Sequence, residues 1–206
     1  MNFPLFNHDK KFFATFIEKI RTLYSSMDRS CAEAAAHYGF ECSGCDDNCC
    51  EERFYHYTLA EHIYLMDGVG YLEEEMRREI FARAEEVIQI YRLHDSKGII
   101  RRVMCPLNFD GLCLLYEYRP MICRLHGIPH IIKKPEQPEQ KGPGCHKFNE
   151  VVMPDKISSF EFDRTGFYSE MASIEIELRK TLNFRGRYKK TVAGMIMDIS
   201  EGRMTA

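Results

Sequence analysis

The sequence predicts a mainly α-helical protein in which amphipathic helices surround an irregular cysteine-rich loop core. Three observations carry that expectation. Apolar residues recur at three- and four-residue steps over several long stretches, which is the period of a half-buried helix. Between residues 99 and 148 this periodicity fades and prolines, glycines and cysteines take over. Eight of the nine cysteines fall outside the periodic stripes, in one uneven array.

A first helix is expected over residues 11–38, where Phe13, Phe16, Ile17, Ile20, Leu23, Tyr24, Met27, Cys31, Ala34 and Tyr38 form one stripe and Gly39 follows as a stop. Cys31 lies on that stripe, so it reads as a small buried hydrophobe and is kept apart from the other cysteines. Thr58-Leu-Ala-Glu61 has the spacing of a capping box and opens a short helix over about 59–67, ending near Gly68. A long amphipathic helix over 71–94 buries Leu72, Met76, Ile80, Ala84, Val87, Ile88 and Tyr91, exposes Glu73 to Glu75, and closes near Gly98. A further helix is expected over 165–182, capped by Asp163 and striped by Phe167, Met171, Ile174, Leu178 and Leu182, and a short one over 192–199. Pro120 suits the first turn of a short helix carrying Cys123, whereas Pro129, Pro135, Pro138 and Pro143 mark an irregular loop.

With 206 residues the chain fits a single domain, 1–206, able to build a core without covalent staples. The formal charge of −3 and pI near 6.3 give no global attraction to nucleic acid, and Arg185, Arg187, Lys189 and Lys190 read as a solvated loop. No stretch approaches the about 20 apolar residues needed to span a bilayer, and no leader pattern opens the chain. These features suggest a cytoplasmic, reducing setting with no nucleic-acid or membrane partner. There a dense cysteine pattern favours metal or catalysis over disulfides, and the odd total of nine leaves an all-disulfide scheme with one thiol over.

The array itself comprises Cys42, Cys45, Cys49, Cys50, Cys105, Cys113, Cys123 and Cys145. Cys42-Ser-Gly-Cys45 is a chelate bite, since two intervening residues let both sulfurs face one ion, and four cysteines within nine positions imply a shared partner. Eight thiolates suffice for two closed tetrahedral sites of zinc or iron, or for one iron–sulfur cluster. Neighbouring Cys49 and Cys50 project differently, so they feed two centres or bracket a larger one, with the two halves of the sequence interleaved. Later gaps of seven, nine and twenty-one residues match neither a zinc ribbon nor a bacterial ferredoxin run. Among the histidines His146, beside Cys145, is the best placed to replace a sulfur, ahead of His126 and His130. Arg119 and Arg124 flank Cys123, where guanidinium donors would offset clustered thiolate charge.

The order Cys42-x-x-Cys45-x-x-x-Cys49-Cys50, Cys105-Pro106-Leu107, Cys113-Leu-Leu-Tyr116-Glu117-Tyr118-Arg119-Pro120-Met-Ile-Cys123-Arg124 and Cys145 resembles a bacterial cysteine-cluster family of the CxxCxxCC type, described as a zinc- or iron-chelating domain. The resemblance spans about residues 40–148, interrupted by the helices at about 59–67 and 71–94. One departure is that Asp46, Asp47 and Asn48 precede the double cysteine where the family commonly has two residues. The resemblance implies metal chelation by the eight cysteines, with Tyr116, Arg119, Pro120 and Arg124 as further motif positions. Because that family includes a flagellin lysine methylase, it also implies an alternative, an iron–sulfur dependent enzyme of electron transfer or protein modification. Gly68-Val-Gly70 is too short a glycine fragment to bind a methyl donor, and no catalytic residue is assigned.

Overall fold

The structure, a computed structural model, describes residues 2–4, 10–42, 48–153 and 160–205. It is mainly helical. The principal helices are α1 (Lys10–Tyr38), α2 (Leu59–Gly70), α3 (Glu74–Lys97), α4 (Met121–Leu125), α5 (His146–Val151), α6 (Thr165–Thr181) and α7 (Val192–Ser200). Short antiparallel pairs complete it: β1 (Asn2–Pro4) with β6 (Arg203–Thr205), β2 (Asn108–Phe109) with β3 (Leu112–Cys113), and β4 (His130–Ile132) with β5 (Gln140–Gly142).

Helix α1 is the spine, touching α2, α4 and α6. Its stripe is buried from Phe13 to Tyr38 except at Cys31, which is only half-buried. Each fully buried aliphatic or aromatic side chain contributes about 1.5–3 kcal/mol, so this one face is a major part of the core. Gly39 ends α1 at φ 65°, with Gly39 N–H donating to Ala36 O and Phe40 N–H to Ala35 O, the paired bonds of a Schellman turn. Helix α3 buries Ile80, Ala84, Val87 and Tyr91 and packs most extensively on α7, and Gly98 closes it at φ 64°. Helix α6 buries Met171, Ile174 and Leu178, and Asp163, one residue ahead of the N-cap Arg164, accepts Thr165 N–H at 2.8 Å.

Two expectations are corrected. Helix α2 does not stop near Gly68 but runs on to Gly70. A Cβ on Gly68 would lie 2.4 Å from Tyr118 Cγ, so the glycine is there for close approach of the Tyr116–Tyr118 turn. The region 99–148 is less irregular than its proline content suggests. Asp110 and Gly111, at φ 50° and 86°, form the two-residue turn of the β2–β3 hairpin, the positive-φ pair that matches strand twist. The β4–β5 ladder occupies part of the proline-rich stretch. Among the described residues no helix is long and apolar enough to cross a membrane.

Candidate metal centre

Backbone bonds bring the early and late cysteines together. Cys105 N–H donates to Cys50 O at 2.8 Å and Val103 N–H to Glu51 O at 3.1 Å, clipping residues 103–105 onto the 3-10 turn Cys49–Glu51. Arg53 secures that turn against α3 through a two-pronged bond to Asp95, at 2.6 and 2.9 Å, with its guanidinium 4.2 Å over the Tyr91 ring. Cys113 ends the β2–β3 hairpin opposite Asn108, whose N–H returns to Cys105 O. Cys123 rides on α4, and Cys145 caps α5, its N–H donating to Gly127 O at 3.0 Å.

Helix α4 is only five residues long and depends on buried charges. Glu61 Oε1 accepts Met121 N–H at 3.0 Å at its start. Arg124, 6% exposed, donates to Arg119 O at 2.9 Å, to Glu117 O and to the Asp28 carboxylate, and lies 4.2 Å over the Tyr24 ring. Arg164, 1% exposed, donates to Leu125 O and, at 2.8 Å, to Ile128 O just beyond the helix. Glu61 therefore departs from a simple capping box. Thr58 does accept Glu61 N–H at 3.2 Å, but the Glu61 carboxylate turns to Met121 N–H, to the Thr58 hydroxyl at 2.8 Å and to His56 Nδ1 at 3.4 Å.

The result is a cavity of about 670 Å³ lined by Cys42, Cys49, Cys50, Cys105, Cys113, Cys123 and Cys145, seven of the eight expected ligands. Cys45 lies outside the described residues. Cys31 also lines the cavity, its thiol donating to Arg124 O at 3.6 Å, so its place on the α1 stripe does not bury it in the apolar core. Of the three histidines singled out in the sequence, His126 lines the cavity. His146 is exposed and lies 3.0 Å from Glu150, whereas the His130 ring packs against Gly142. His56, which the sequence gave no reason to choose, is on the wall as well.

Electrostatics divide the sulfurs. Burial pushes Cys105 up to about 12, raises Cys113 and drives Cys123 far above the ordinary thiol range. Cys50, Cys105 and Cys113 also raise Cys123 through their charge. Cys50 is held below the ordinary range by the bond from the Cys49 thiol, with help from Asn108 and Arg119 against burial. Cys49 is raised by the same bond and by burial. Backbone N–H groups already point at three sulfurs: Leu107 at Cys105, Leu115 at Cys113, and Phe148 at Cys145 over 3.4 Å. Such donors favour the anionic sulfur that metals bind.

Donor type and number thus fit a soft or borderline metal. The sulfurs line a cavity wider than one tetrahedral ion needs with bonds of about 2.3 Å. Among the described residues no three Cys, His, Asp or Glu side chains form a ready-made metal-holding group. Closing a centre therefore requires side-chain rotation inside the cavity. No known protein family, curated protein or solved structure matches this chain.

Proposed function

We propose that the protein binds zinc or iron through its cysteine array, as two thiolate sites or one iron–sulfur cluster, in a reducing, cytoplasmic setting. The observation that carries this reading is the single cavity walled by seven of the eight array cysteines, drawn from residues 42–50 and 105–145. Cys50, Cys105, Cys113 and Cys123 act on one another electrostatically and make the inner group. Cys49 is joined to this group by its bond to Cys50 and by the charges of Cys42 and Cys123. Three buried thiols with raised pKa values are poor thiolates alone, and a cation among them supplies the charge that deprotonates them. Arg119, half-buried beside Cys50 and 3.6 Å from Asp28, offsets part of the remaining negative charge. The resemblance to the cysteine-cluster family points the same way.

The test is purification without oxygen, followed by metal analysis and a visible spectrum. About two zinc per colourless chain supports paired closed sites, whereas iron with acid-labile sulfide and a brown chromophore supports a cluster and the enzymatic alternative. Cys105→Ser with Cys123→Ser lowers the metal content in either case. Reduced wild-type protein that carries no metal and takes up neither zinc nor iron would overturn the proposal.

A further inference from the structure

A buried imidazole lies on the wall of the same cavity with one nitrogen unused. His56 is 2% exposed, lines the cavity, and its Nε2 has no hydrogen-bond partner. Burying an unpaired polar atom is unfavourable, so such an atom calls for an occupant. The other ring nitrogen is accounted for, because Nδ1 is 3.4 Å from Glu61 Oε1. An ionised carboxylate can only accept, so in the neutral ring the proton belongs on Nδ1 and Nε2 carries the free lone pair. Histidines that ligate metals show this arrangement, the second nitrogen donating to a carboxylate that fixes tautomer and ring orientation.

The surroundings hold the ring in place. His56 N–H donates to Lys190 O at 2.7 Å and Lys190 N–H to His56 O at 3.0 Å, tying its backbone to the segment before α7. Glu61, on α2, also accepts from Thr58 and from Met121 N–H, so the carboxylate that orients His56 also anchors the helix carrying Cys123. A shift of either element moves both donors together.

We propose that His56 Nε2 is a nitrogen ligand of the metal centre that includes Cys123, with Glu61 as its positioning carboxylate. The inference rests on the metal-binding reading and adds to it a mixed nitrogen–sulfur donor set. Because the sulfurs alone suffice for a tetrahedral ion, the imidazole either takes the place of one sulfur at a single ion or serves a centre of more than one ion.

X-ray absorption at the edge of the metal the protein carries, or of zinc supplied to the reduced chain, tests it. The expected wild-type spectrum has a nitrogen shell at about 2.0–2.1 Å beside sulfur at about 2.3 Å, with outer-shell imidazole scattering. His56→Ala loses the imidazole scattering and keeps sulfur. His126→Ala, at the other wall histidine, keeps both, so the assignment holds even if His56→Ala fails to fold. Glu61→Gln retains the nitrogen shell but weakens metal affinity about 10–100-fold in chelator competition. A sulfur-only wild-type shell, or imidazole scattering that survives in folded His56→Ala, overturns this inference and leaves metal binding intact. A chain with no metal edge at all overturns both.

Discussion

His62 offers a direct measure of how dry the helical frame is. Its ring is fully buried in α2, and Nδ1 lies 2.6 Å from the Tyr188 hydroxyl. Burial, and secondarily the Lys190 charge, lower its pKa from 6.5 to about 3. The folded state therefore refuses a proton that the unfolded chain accepts below pH 6.5. Stability is full above that pH, falls as pH drops, and levels off only below about 3. At pH 5 the unfolded state gains a factor of about 30 from protonation and the folded state almost nothing, a loss of about 2 kcal/mol, rising to about 3 kcal/mol at pH 4. Urea unfolding of wild type and His62→Phe at pH 7.5, 6 and 5 isolates this contribution, since every other titrating group, the cavity thiols included, is common to both. At pH 7.5 the variant is weaker by about 1–3 kcal/mol for the unpaired Tyr188 hydroxyl, and this deficit shrinks by about 2 kcal/mol on going to pH 5. Its pH slope is smaller by the amount computed for the wild-type ring. Parallel pH dependences with equal m-values would show that the ring takes up its proton in the folded state, and the argument would fail.

Two further changes probe the supports of the site. Gly68→Ala brings a Cβ within 2.4–2.9 Å of Tyr118, so overpacking outweighs the gain of about 1 kcal/mol in helix propensity, and a net loss of about 1–2 kcal/mol is expected in thermal unfolding. Arg124→Ala leaves the Glu117 and Arg119 carbonyls without that donor and the Asp28 carboxylate with Arg119 alone, at 3.6 Å. It should cost about 3 kcal/mol in urea unfolding, with Arg124→Lys recovering only a minor part because an ammonium cannot span the three acceptors.

The helices were legible because their signals are local. The α1 stripe, Gly39, Thr58 and Gly98 act through spacing or backbone geometry within a few residues, and each does what its position suggests, whereas Arg164 takes the N-cap place expected of Asp163. Cys31 misled because a stripe records direction but not what lies opposite. Around it α1 presents Ala32 and Ala35, small enough to leave room for the cavity they line. The Asp110-Gly111 turn was available to a sequence reading, but the surrounding cysteines drew the segment toward a loop. The β4–β5 ladder carries no alternation strong enough to see in three-residue strands. His56 was invisible for a deeper reason. It lies on no periodic element, and its significance comes from Glu61, whose carboxylate is drawn from its capping role by residues up to sixty positions away.

Cys105 lies on an irregular segment, and the pieces that carry Cys50, Cys113, Cys123 and Cys145 are a 3-10 turn, a hairpin of two-residue strands and helices of five or six residues, none long enough to persist by itself. What fixes them is a set of buried charges inserted from the longer elements. Glu61 from α2 holds the start of α4. Arg164, just before α6, holds the chain after its end, and Asp28 from α1 meets Arg124 within it. An apolar interface would bury these short segments equally well but would tolerate sliding, whereas a carbonyl or amide matched to one guanidinium or carboxylate fixes a single register. For the proposed metal centre, whose donors would have to meet within tenths of an ångström, that difference would matter more than the stability of each contact. It accounts for a helical frame that spends buried Glu and Arg residues around a cavity it could have filled with leucine.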